Sequence, residues 1–118
     1  MTHRVLLVAD DATPEPGGEA AAALRGWEVE LHHDPAAAAR AAAGGDFEAV
    51  LLIEGASCSK TVDRLRRFKE ADVPVPVVVL ARNPTVEAAV QVIKHGAADY
   101  LRWPCSAEEL DAALRRVQ

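Results

Sequence analysis

Hydrophobic positions along this chain fall into two kinds of run, and the two kinds alternate from one end to the other. Arg4–Ala9 (Arg-Val-Leu-Leu-Val-Ala), Ala49–Glu54 and Pro76–Ala81 are nearly continuous apolar stretches of strand length. That pattern belongs to strands buried on both faces of a parallel sheet. Trp27–His33 (Trp-Glu-Val-Glu-Leu-His-His) alternates apolar and polar residues, as an edge strand with one wet face does. Asp99–Trp103 reads as a last, fifth strand.

Helical stretches fill the gaps. Asp10–Gly18 holds two prolines and two glycines, so it reads as a loop, with a first helix over Glu19–Gly26. Asp34-Pro35 places an aspartate at an N-cap and a proline in the first turn of an alanine-rich second helix, which stops at Gly44-Gly45. A third helix over Ser59–Ala71 turns Val62, Leu65 and Phe68 inward. A fourth over Thr85–His95 carries Val86, Val90 and Ile93 on one face and is closed by Gly96 at C′. The fifth opens with Ser106-Ala107-Glu108-Glu109, a capping box, and buries Leu110, Leu114 and Val117.

Five strand–helix units imply an α/β fold: a five-stranded doubly wound parallel sheet of flavodoxin-like order 2-1-3-4-5, with five helices on its two faces. Ligands of such sheets bind beyond the carboxyl ends of the strands, at the topological switch point. With 118 residues and no linker, repeat or low-complexity segment, residues 1–118 are expected to form one domain.

Composition narrows the function classes. Half the residues are hydrophobic, enough for a true core, while the aromatic share is 4% and alanine numbers 24. A net charge of −5 disfavours nucleic acid as a direct partner, because that affinity comes largely from neutralising phosphates. No run of eighteen apolar residues and no charged-then-apolar leader is present, so no membrane association and a cytoplasmic location are expected. Cys58 and Cys105 stand alone, without a Cys-x-x-Cys, and read as inert thiols on loops. Arg64, Arg66, Arg67 and Lys69 read as a solvated basic helix face, and the histidines at 3, 32, 33 and 95 have no ligand-like spacing.

The stretch Val86-Glu87-Ala88-Ala89-Val90 through Lys94-His95-Gly96-Ala97-Ala98-Asp99-Tyr100-Leu101-Arg102-Trp103-Pro104 closely resembles the end of a response-regulator receiver domain, in particular receivers of sigma-54-dependent regulators. Arg66-Arg67-Phe68-Lys69-Glu70-Ala71-Asp72, followed by Pro76-Val77-Val78-Val79-Leu80, carries a second match. The resemblance aligns without gaps from Arg4 to Val117 and implies a signalling domain of two-component, phosphorelay-type pathways rather than an enzyme. A working receiver uses an acceptor aspartate after the third strand, two acids after the first strand for Mg²⁺, a Ser/Thr after the fourth strand, and a lysine before the proline. Metal and lysine neutralise the phosphoryl oxygens while the carboxylate attacks in line.

Carried over residue by residue, the acceptor position is Ile53, the hydroxyl position Ala81 and the lysine position Trp103. No catalytic residue is therefore expected. The paired acids fall on Ala9 and Asp10, with Asp11 beside them, so Asp10 and Asp11 are at most a weak, vestigial Mg²⁺ site and no other cofactor is expected. Glu54 would point away from the pocket by strand alternation. Tyr100 stands where the family keeps a switching aromatic, and Ala81 leaves room for it to stay inward. The resemblance then implies an atypical, phosphorylation-independent interaction module. Its protein partner, or a second copy of the chain, would dock on the face of the fourth helix, fifth strand and fifth helix, at Glu87, Gln91, Lys94, Tyr100, Arg102, Trp103 and Arg115. Two alternatives stay open: a conventional receiver keeping weak Mg²⁺ or phosphoryl chemistry through Asp10, Asp11 or Glu54, and a small-molecule sensor using the pocket lined by Ile53, Ala81 and Trp103.

Overall fold

The computed structural model describes residues 3–8, 27–32, 34–44, 47–53, 58–73, 75–81, 84–102 and 107–116. Five strands, β1 (His3–Val8), β2 (Trp27–His32), β3 (Ala49–Ile53), β4 (Val77–Ala81) and β5 (Asp99–Arg102), pair in parallel in the order β2-β1-β3-β4-β5. Among the described residues there are four helices: α1 (Pro35–Gly44), α2 (Cys58–Glu70), α3 (Val86–Lys94) and α4 (Ala107–Arg116). The helix expected at Glu19–Gly26 lies outside the described residues, as do Glu54, Ser106 and Val117. This is the doubly wound architecture implied by the run pattern.

The three central strands are buried from end to end, as their unbroken apolar runs require. Strand alternation divides them between two cores. Leu6, Val8, Val50, Leu52, Val77 and Val79 face Leu65 and Phe68 of α2, Val92 of α3 and the alanines of α1. Val5, Leu7, Leu51, Ile53, Val78 and Leu80 face Leu110 and Leu114 of α4. The edge strand β2 keeps Glu28 and Glu30 in solvent. Its Trp27 indole donates to Asp111 Oδ1 of α4 at 3.4 Å.

Local chemistry fixes the helix ends. Asp34 caps α1, its Oδ1 accepting from the Ala36 amide at 3.1 Å. The Thr85 hydroxyl caps α3 by accepting from the Ala88 amide at 3.0 Å, so Thr85 is the N-cap and not a helical residue. Both α2 and α3 close in Schellman motifs. In α2 the Asp72 amide donates to Lys69 O and the Val73 amide to Phe68 O, each at 3.1 Å. In α3 the Gly96 amide donates to Ile93 O at 3.1 Å and the Ala97 amide to Val92 O at 3.0 Å. The residue at C′ is left-handed in both, Gly96 at φ 106° and, without glycine's freedom, Asp72 at φ 53°.

Two side-chain expectations need correction. Among the described side chains of α2 the buried ones are Thr61, Arg64, Leu65 and Phe68, with Val62 only half-buried. Arg64 therefore does not belong to a solvated basic face, while Arg66, Arg67 and Lys69 do. Cys58 opens α2 instead of lying on a loop.

Candidate functional site

The carboxyl ends of the strands are where a sheet of this order places its site. β3 ends in Ile53, which pairs with Leu80 of β4, and β4 ends in Ala81, which pairs with Arg102 of β5. Ile53 and Ala81 are both completely buried. Alternation sends them to opposite faces: Ile53 packs with Leu110 and Leu114, whereas Ala81 shares the side of Val77 and Val79. The end of the sheet is thus floored by aliphatic side chains. Asp10, Asp11, Trp103 and Cys105 lie outside the described residues.

The other surface of interest lies on α3, β5 and α4. Only Val92 of α3 is buried. Its neighbours Val86, Val90 and Ile93 are 82%, 56% and 48% exposed. The face those three share therefore points to solvent, and Val90 and Ile93 line, with Ala89 and Lys94, a shallow apolar groove on the helix. Glu87, Gln91 and Lys94 flank it, and Arg102 and Arg115 are exposed on β5 and α4. Acids and bases on this side pair locally: Arg115 Nε lies 2.8 Å from Asp111 Oδ2 and Arg116 Nη2 3.0 Å from Asp99 Oδ2. Tyr100 is half-buried on the core side, packed against the cluster that holds Val79 and Val92. Its amide donates to Asp99 Oδ1 at 2.8 Å.

No protein-family model matches the chain. Curated relatives do. The response regulator protein PmrA of Pseudomonas aeruginosa is 32% identical over 114 residues, which cover 97% of this chain and 52% of that protein. The transcriptional regulatory protein TrcR of Mycobacterium tuberculosis is 36% identical over 113 residues, 95% of this chain and 44% of that protein. Among solved structures, the receiver domain of the sensor histidine kinase PA1611 from Pseudomonas aeruginosa, with a magnesium ion coordinated in its active-site cleft, matches with a TM-score of 0.75 at 25% identity. It covers 99% of this chain and 98% of that one. The chain belongs to the response-regulator receiver (CheY-like) family.

This receiver spans about half the length of the curated relatives it matches. The family's magnesium ion takes oxygen ligands from carboxylates. Ile53 supplies no side-chain oxygen at the end of β3, and Asp10 and Asp11, the acids expected to hold such an ion, lie outside the described residues. Among the described residues no group of three His, Cys, Asp or Glu could hold a metal. Nor, among them, is any helix long and apolar enough to cross a membrane.

Of the residues singled out in the sequence, Glu87, Gln91 and Lys94 on α3, Arg102 on β5 and Arg115 on α4 are all exposed, and Ile53 and Ala81 stand at strand ends. Two features were missed. The solvent-facing Val86–Val90–Ile93 stripe has the same spacing as a core stripe, and periodicity alone does not say which side of a helix faces the sheet. Thr61 and Arg64 are buried polar residues on α2. Their signal was positional, since both fall on the arc of Leu65 and Phe68.

Proposed function

We propose that this chain is a receiver domain, formed by residues 1–118 as one unit, that works in two-component-type signalling as a phosphorylation-independent interaction module. The observation that carries this reading is Ile53: the strand that should end in an acceptor carboxylate ends in a fully buried isoleucine packed on Leu110 and Leu114. An isoleucine cannot form an acyl phosphate. Ala81 offers no hydroxyl and Trp103 no charge at the two positions that would steady a phosphoryl group.

Regulation then rests on a protein partner meeting the α3–β5–α4 face, with a second copy of the chain as one such partner. The exposed Val86–Val90–Ile93 stripe supports this, because aliphatic side chains clustered in solvent mark interaction surfaces more than scattered ones do. Glu87, Gln91, Lys94 and Arg102 supply a polar rim. Tyr100 is held inward, and Ala81, two register positions past its partner Val79, leaves that side of the sheet free of a hydroxyl. Asp10 and Asp11 form at most a vestigial Mg²⁺ site, no other cofactor is used, and the module is cytoplasmic and not an enzyme.

Amide NMR during titration with Mg²⁺, then with Mg²⁺ plus beryllofluoride, tests the reading. The expected result is silence at Asp10, Asp11 and Ile53. Saturable shifts spreading from Asp10 to Tyr100 would establish a phosphoryl-type switch instead.

A further inference from the structure

At the opposite edge of the sheet, where β4 begins, the packing of α2 and α3 leaves a cavity of about 220 Å³. Leu65 and Phe68 of α2 and Val77 of β4, all buried core residues, line it together with the half-buried Val73 and Val75. An apolar cavity of roughly 150 Å³ stays dry and takes up benzene, so this volume accommodates one substituted ring. Gly96 also lines it, and a Cβ added there would meet nothing within 4 Å. Lys69, which is exposed, and His95, which is half-buried, complete the lining.

His95 sets the polarity that the cavity offers. Its Nδ1 lies 2.8 Å from the Gln91 carbonyl oxygen. A carbonyl only accepts, so Nδ1 carries the proton, and in the neutral ring Nε2 is left as an acceptor. Among the described residues Nε2 has no partner. Both α2 and α3 end beside the cavity, and the negative end of a helix dipole favours a group that donates over an anion. We propose that the cavity binds a small phenol, its ring seated on Leu65, Phe68 and Val77 and its hydroxyl donating to His95 Nε2. Apolar burial supplies the affinity and one polar contact the orientation, as small-molecule sites commonly divide those tasks. The cavity uses neither Ile53 nor the α3 stripe, and it stands whether or not that stripe docks a partner.

Amide NMR of the whole chain, titrated with p-cresol and with p-xylene, tests this, because the two share a shape and only p-cresol has a donor. Saturable shifts with p-cresol, centred on Phe68, Val77 and Gly96, are the expected result. His95→Leu should weaken p-cresol about fivefold relative to p-xylene, as the loss of one hydrogen bond does. His95→Gln keeps an acceptor and should recover part of that loss. Comparing both ligands within one variant cancels any change in packing. Val75→Phe puts a ring into the cavity and should weaken both ligands about tenfold or more. The His95 variants keep the test valid if Val75→Phe does not fold. Absence of saturation, shifts centred on the exposed Val86–Val90–Ile93 stripe, equal losses for both ligands in His95→Leu, or undiminished binding in Val75→Phe would overturn the proposal. Tighter binding of N-acetyltyrosinamide than of p-cresol would also overturn it, by assigning the cavity to a tyrosine of a partner protein.

Discussion

Ala81 and Arg102 are Cα partners at the last rung between β4 and β5, so the position that would carry a receiver's hydroxyl is a buried methyl group beside an exposed cation. One strand over, Ile53 is equally buried. Both positions are filled by aliphatic side chains that are part of the core. Restoring single residues should therefore damage the fold before it restores chemistry.

Ile53→Asp makes that concrete. It removes aliphatic contacts with Leu110 and Leu114 and puts a carboxylate in their place. A loss of about 3–5 kcal/mol is expected in urea unfolding, from lost burial and charge desolvation together. Intact mass after incubation with a small-molecule phosphodonor and Mg²⁺ should show no phosphoryl adduct while Ala81 and Trp103 remain.

The surface stripe should behave in the opposite way. Val90→Glu and Ile93→Lys alter side chains that are 56% and 48% exposed, so stability should change by no more than about 0.5 kcal/mol. Self-association in sedimentation velocity, or affinity for a purified partner, should fall by at least about tenfold, the loss expected when an interface centre receives a charge.

Asp72 is a place where the chain can be made more stable. It holds φ 53° at the C′ position of the α2 Schellman motif, where glycine carries no Cβ penalty. Asp72→Gly should raise stability by about 0.5–1 kcal/mol and the melting temperature by a few degrees. Gly96→Ala, at φ 106° with open space around its Cβ, should cost about 1 kcal/mol or more through backbone strain alone. Thermal unfolding of the two variants gives the comparison.

The tie between Trp27 and Asp111 joins the edge strand to the last helix across 84 residues of chain. Trp27→Phe keeps most of the ring and removes the donor, at an expected cost of about 0.5–1.5 kcal/mol. A double-mutant cycle with Asp111→Ala should return a positive coupling energy, because Asp111 also pairs with Arg115 at 2.8 Å and the single loss alone mixes two contacts.

Much of this receiver was legible in order of residues alone. Unbroken apolar runs of strand length at β1, β3 and β4 read as strands covered on both sides, and the alternation over Trp27–Glu30 of β2 reads as an edge. Short-range chemistry was equally readable: Asp34 before Pro35, and Gly96 after α3, act on bonds within one turn. So were the residue types on which the proposed role rests, since the identities of Ile53, Ala81 and Trp103 do not depend on geometry.

What only the tertiary structure decided is which side of each helix meets the sheet. Val86, Val90 and Ile93 recur at helical spacing, as a core stripe does, and the same spacing serves equally well in solvent. Orientation is set by how α3 lies across β4 and β5, which leaves Val92 as its buried residue. On α2 the packing angle instead carried Thr61 and Arg64 inward with Leu65 and Phe68. Helical periodicity states which residues share a face, and contacts between elements distant in sequence determine whether that face is core or surface.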